Sequence, residues 1–297
     1  MKKKAIKSRT RDVIRTINHR RKPKQNLFHG PTSEISQELR KVWKRTNNWI
    51  DRENRKGLKI SQGTNSMGRN KNRLTIHLPV RMDFSNNYDV TLQCISAIRK
   101  LANLYNKFKE RKIPVKAYKL GWVNFDELRN ISTSAALVLT AEIAKWDTSI
   151  RRQLTPLVDK WDESVYSHFD QLGFFDLFDN KPTKESNGET LRPDLNFVRY
   201  VRGQCGDSDD AKAKKKVLNK EITNLVGDSV PKWTFLHSGL SEAVTNVSHH
   251  AYPNDDTCSD KSWYLTGSFN EKTKDMKIAF YDQGIGIPNS LPASEIW

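Results

Sequence analysis

The chain has 297 residues, 36% of them hydrophobic and eight of them Trp, which accommodates about two domains and permits packed cores. Its net charge of +17 is concentrated at one end: residues 1–70 hold 20 of the 51 Lys/Arg but 5 of the 34 Asp/Glu, leaving 31 against 29 for the remainder. Three cysteines without paired spacing argue against a disulfide framework or a zinc knuckle, and the lack of any apolar run near about 18 residues argues against a membrane span. "MKKKAIKSRTRD" has no hydrophobic segment after its charges, so no signal peptide is expected and the expected location is the reducing cytoplasm.

Residues 1–32 form a basic, weakly patterned arm, and residues 33–56 carry a helical stripe of Ile35, Leu39, Val42, Trp43 and Trp49. Lysine and arginine clusters of this kind attract phosphate backbones without reading sequence, so nucleic acid is one candidate partner for residues 1–70. A solvated arm, or a helix docking on an acidic partner, fits the same charges. "GLKISQGTNSMGRNKN" reads as a polar linker.

A second part begins near residue 71. "LTIHLPV" alternates Leu74, Ile76, Leu78 and Val80 and reads as a strand, with Pro79 favouring an edge position. Residues 88–108 read as a helix with Leu92, Ile95, Ile98, Leu101 and Tyr105 on one side, and Cys94 as a buried small hydrophobe. "IPVKAY" and "WVNFD" read as short strands, "STSAALVLTAEIAKW" as a helix opened by capping hydroxyls, and "YSHFDQLGFFDLFD" as a helix and a turn. The alternation and the wording "VNFDELRNISTSAALVL" resemble a STAS domain, the small fold of anti-sigma-factor antagonists. Ser132 stands where that family has Asp, and Ala135 where it has Gly. The resemblance implies a phosphorylated serine at Ser134; as plain chemistry, Ser132 and Ser134 equally suit helix capping.

The third part starts near residue 183, with "LNFVRYV" as a strand and "KAKKKVLNKEITNLV" as a helix. The segment "SEAVTNVSHHAY" follows. At ~100° per residue, Glu242, Asn246 and His250 lie within an arc of roughly 80°, beside a band of Leu236, Leu240, Ala243, Val244, Val247 and Ala251. Ser241, Thr245 and Ser248 take the solvent side. "SWYLTGSF" and "MKIAFYD" then form a hairpin about "NEKTKD", running into "DQGIGIP". A carboxylate at a strand end can accept from an exocyclic amine. Gly284 and Gly286 allow positive φ and close approach of a flat ligand.

The order Glu-x-x-x-Asn-x-x-x-His-Ala-Tyr, hairpin, Asp-x-Gly-x-Gly-Ile-Pro resembles the Bergerat-fold (GHKL) ATPases, and its wording is similar to the anti-sigma-factor serine kinases. The resemblance implies ATP and Mg²⁺ as cofactors. Asn246 would hold Mg²⁺, Glu242 would orient or deprotonate the attacking water or hydroxyl, and Asp282 would read the adenine amine over Gly284 and Gly286. His250 would lie near the phosphates or help close the site.

The expectation is an α/β chain of three parts. Residues 1–70 are a basic, partly helical segment, 71–182 a STAS-like β/α domain, and 183–297 a GHKL domain built as a two-layer sandwich of helices on a mixed sheet. Trp297 comes eleven residues after Gly286, ahead of the lid and second glycine-rich segment that the family uses to grip phosphates. Weak or absent ATP turnover is therefore expected of these residues alone, with a protein partner as the missing portion, the regulator or the phosphorylated target. A phosphorelay kinase is disfavoured for lack of a phospho-acceptor helix pair, and gyrase-like chemistry for lack of a strand-cleaving domain. The competing reading is a nucleic-acid-binding protein acting through residues 1–70 on a non-catalytic ATPase-like scaffold.

Overall fold

The computed structural model describes residues 33–64, 70–109, 119–146, 148–184, 195–204, 208–226, 233–252 and 262–284. It is a mixed α/β chain with several small sheets. Helix α1 (Ser33–Arg55) buries Thr46, Trp49 and Glu53, and the Lys100 ammonium lies 4.3 Å from the Trp49 ring centroid. The helix stops at Gly57, whose φ of 96° is a left-handed value that suits glycine. Asn54 then pins the next segment from both sides, donating to the Ile60 carbonyl at 3.1 Å and accepting from its N–H at 2.7 Å.

That segment is β1 (Lys59–Thr64), antiparallel to β2 (Asn70–His77), so a hairpin stands where the sequence suggested a linker, and it straddles residue 70. Leu74, Ile76 and Leu78 are buried as the alternation requires, but Val80 is 59% exposed. Pro79 marks no edge: β2 is the central strand in the order β1-β2-β4, and the proline falls beyond its end. After β3 (Arg81–Met82), helix α2 (Tyr88–Lys109) crosses over to β4 (Lys119–Asn124), which is parallel to β2; β5 (Asn130–Ile131) is parallel to β3. On α2, Cys94, Ile95, Ile98, Leu101 and Tyr105 are buried, whereas Leu92 is exposed and Thr91 takes the inward place. Burial pushes the Cys94 thiol up to about 12, so it is an inert core group. Cys205, Cys258 and the expected strand at "IPVKAY" lie outside the described residues.

Helix α3 (Thr133–Ala144) starts at Ser132, whose Oγ accepts from the Ala135 N–H at 3.3 Å. It is apolar all round, which requires burial on every side. Ala135, Ala136, Leu139 and Ile143 enter the first core, while Leu137, Ala141 and Ala144 meet Tyr264 of the later sheet. Helices α4 (Thr148–Gln153) and α5 (Glu163–Leu172) close the first of two structural parts, the one built on the first core and running to Phe178, α5 being capped by Asp162 and ended by Gly173 at φ 84°. A short 3₁₀ turn, Phe174–Leu177, adds Phe174 and Phe175 to an aromatic nucleus in which Phe125 and Trp161 stack at 4.1 Å.

Strands β6 (Leu195–Phe197) and β7 (Val201–Gln204) split the single strand read at "LNFVRYV". Helices α6 (Ser208–Val226) and α7 (Trp233–His250) follow, then β8 (Ser262–Asn270) and β9 (Asp275–Asp282). β6 and β7 pair in succession along one edge of β8, and β9 pairs along the other, all antiparallel. Trp263 and Leu265 face a core with α6 and α7, whereas Tyr264 faces α3. Helices therefore cover both faces of this sheet, and α3 packs both in the first core and against Tyr264 on the sheet face opposite α6 and α7. Among the described residues no helix is long and apolar enough to cross a membrane.

Candidate functional site

Helix α7 buries Leu240, Val244 and Val247, with Ala251 just past its end and Leu236 partly buried against the same cluster. This is the apolar band of the sequence, seated on the sheet by its i, i+4, i+7 spacing. Glu242, Asn246 and His250 are all exposed along the helix flank, as is Thr245, whose hydroxyl donates to the Ser241 carbonyl at 2.9 Å. His250 closes the helix, its ring centroid 6.0 Å from that of His249.

On β9 the two-residue period sorts side chains between the faces. Met276, Ile278 and Phe280 pack toward α6 and α7, while Ala279 and Tyr281 pack toward α3. Asp282 follows the first set, because it stands opposite Trp263 in the ladder and Trp263 lies in the α6/α7 core. Its Oδ1 accepts the Gly284 N–H at 2.8 Å, closing a tight turn at the strand end. Among the described residues this bond uses one of the carboxylate's roughly four lone-pair positions.

Gly284 rests directly on the end of α7. A Cβ there would lie 2.4 Å from the Ala251 Cβ and 2.5 Å from its carbonyl oxygen. The glycine is thus required by close approach and not by a left-handed backbone, since among the described residues only Gly57 and Gly173 are glycines with positive φ. Ala251 is five residues beyond Asn246, about 7.5 Å along the helix axis. The structure accordingly brings the Asp282–Gly284 turn to the helix end that carries His250, while Glu242 and Asn246 extend along the exposed flank. Gly286 lies outside the described residues.

A polar node on the opposite face was not read from the sequence. Glu142 of α3 is 4% exposed, and its carboxylate collects Arg99 Nε at 3.1 Å, Arg99 Nη2 at 2.5 Å, Tyr281 Oη at 2.8 Å and Gln283 Nε2 at 2.9 Å. Arg99 also donates to Tyr281 Oη at 3.0 Å. Burial and the Glu142 charge push the Tyr281 phenol above its usual range. Hydrogen bonding to Glu142 likewise raises the Arg99 guanidinium, although burial opposes it. The available signal was a lone Glu in the apolar run "AALVLTAEIA": a carboxylate in such a helix has to find donors.

Ser134 is half-buried in the first turn of α3, its Oγ 3.2 Å from that of the capping Ser132. Ser132, Thr133 and Ser134 line a cavity of about 690 Å³ between the two parts, together with Asp83, His168 and Lys277. Thr133 Oγ1 lies 3.0 Å from Ser268 Oγ of β8, joining the start of α3 to the sheet. Comparison with known proteins finds no matching family model, no matching curated protein and no matching solved structure.

Proposed function

We propose that the chain is an ATP-binding regulatory protein of the GHKL class, in which Mg-ATP acts as a conformational switch or as the substrate of hydrolysis or Ser/Thr phosphoryl transfer to a partner. The observation that carries this reading is the contact of Gly284 with Ala251, which joins the two motif-bearing segments that are otherwise separated in the chain. In this reading Asp282 accepts from the adenine amine, and the turn it forms with Gly284 supplies the floor for the base. Asn246 offers an amide oxygen to magnesium, whose preference for few protein oxygens plus phosphate and water suits a single exposed amide. When bound, magnesium supplies neutralisation of phosphate charge. In the same reading Glu242, one turn earlier on the helix, orients the attacking water or hydroxyl or takes its proton.

Residues 71–182 act here as a STAS-like interaction module. The helical crossover between parallel β2 and β4 and the Ser132-capped helix after β5 support that reading. Titration calorimetry with Mg-ATP, paired with Asn246→Ala, tests the reading. The substitution is expected to abolish magnesium-dependent nucleotide binding and any turnover while leaving the fold intact. Equal binding by both chains in the presence and absence of magnesium would contradict the role given to Asn246.

A further inference from the structure

The β9 terminus is held from both sides, and the two sides belong to different parts of the chain. Asp282 faces α7, whereas Tyr281 and Gln283 point to α3 and end on one carboxylate, Glu142. The β8–β9 ladder stops at the Trp263–Asp282 pair, and the described pairing of β9 is to β8 alone. Beyond Asp282 the Gln283–Glu142 bond therefore replaces backbone pairing. An edge strand that loses its ladder frays unless a side chain anchors it. Glu142 is also an expensive way to pack a helix on a strand, since an apolar residue of similar size would avoid the desolvation cost. A buried charge of this kind specifies position, because a carboxylate accepts only and so fixes the Gln283 amide with its Nε2 inward. Arg99 of α2 holds the same carboxylate through two bonds, one to Oε2 and one to the Oε1 that Gln283 and Tyr281 share.

From this geometry we infer that Glu142, acting through Gln283, is a positioning residue for the purine seat, so that helix α3 of the first part sets the nucleotide affinity of the second. The inference rests on the nucleotide reading above and gives it a route of regulation: a partner or modification that shifts α3 moves Gln283, and with it the adjacent Asp282. Gln283→Leu removes the anchor without disturbing the Arg99–Glu142 pair. Gln283→Glu places a second carboxyl beside Glu142, where like charge raises its pKa. Once protonated, that carboxyl donates to Glu142 as the amide did.

The test is Mg-ADP titration of the full chain and these variants from pH 5.5 to 8, with amide hydrogen exchange of residues 280–284 alongside. Gln283→Leu is expected to bind on the order of tenfold more weakly, the scale of one charge-assisted hydrogen bond partly transmitted to the ligand, and to exchange faster at the β9 end. Gln283→Glu is expected to be as weak at pH 8 and to recover toward the parent chain as pH falls. Adding Glu142→Gln to Gln283→Leu also takes the charge partner from Arg99, but it is expected to cost little further nucleotide affinity, since the route from Glu142 to the turn through Gln283 is already cut. If the parent chain binds and Gln283→Leu binds equally well, or if Gln283→Glu shows no recovery relative to the parent, the positioning role is overturned. If the parent chain itself binds no Mg-ADP, the nucleotide reading falls and takes the inference with it. Should Glu142→Gln fail to fold, the two Gln283 variants decide alone.

Discussion

Gly284→Ala and Gly239→Ala make the same chemical change within one local structure and should move stability in opposite directions. At Gly284 the added methyl would sit 2.4 Å from the Ala251 Cβ and 2.8 Å from its Cα, where carbon atoms in contact stand about 3.5–4.0 Å apart. The turn or the helix end must therefore retreat by more than about 1 Å. Neither obstacle is the far end of a flexible side chain, so the strain cannot be relieved by a rotamer change. Overpacking of this kind costs about 1–3 kcal/mol. Gly239 lies inside α7, exposed, and a methyl group added there would meet nothing within 4 Å. Alanine at that position removes glycine's backbone entropy penalty and stabilises by about 0.5–1 kcal/mol. The gap between the two variants should then be about 1.5–4 kcal/mol, well above the error of urea unfolding followed by tryptophan fluorescence. A Gly284→Ala chain that is as stable as the parent, or two variants that shift alike, would refute the packing of the turn on α7.

Two further outcomes follow from the fold. Leu137 is fully buried on the face of α3 that meets the later sheet, so Leu137→Ala should cost about 2–5 kcal/mol. Because α3 packs both in the first core and against Tyr264 of the later sheet, fluorescence and far-ultraviolet dichroism should report one coincident unfolding transition in the parent, and two separated transitions would contradict the shared helix. Burial, and then the Lys59 charge, hold the His77 imidazole below its ordinary value against the pull of Glu127 and Asp126. Its neutral form is favoured in the fold, so its contribution is complete above the unfolded value of about 6.5 and is lost as pH falls through the lowered folded value. His77→Gln should flatten that limb of the stability curve, and a proton NMR titration of the ring checks the direction directly.

The helices and the last hairpin were legible because their periods are clean: Leu240, Val244 and Val247 mark one helix face, and the β8 and β9 residues alternate between two cores. The first hairpin was hidden for the opposite reason. Leu58 and Ile60 are the buried apolar residues of its first arm, and the rest is polar or glycine, so composition favoured a linker. Helix α3 announced its burial through its apolar sequence, but no local pattern says which two layers it joins. The Glu142–Gln283 bond spans 141 positions, and Gly284 is needed because of Ala251, a residue far from it in sequence. Such requirements are set by tertiary approach and have no local signature. Glu242, Asn246 and His250 are exposed on one helix, and their fourth-residue spacing gives them a common flank once that helix exists.

The purine seat itself is tested most directly by following the backbone amides of Ala251, Asp282 and Gly284 in NMR spectra while adenosine, and separately inosine, is added. Adenosine presents an amine to the Asp282 carboxylate and inosine presents a carbonyl oxygen, so the pair isolates this one contact without any contribution from phosphate. Saturable shifts are expected at these three amides with adenosine, at least about tenfold weaker binding with inosine, and loss of the preference in Asp282→Asn. Amides that respond to neither nucleoside, or to both alike, would contradict the purine seat.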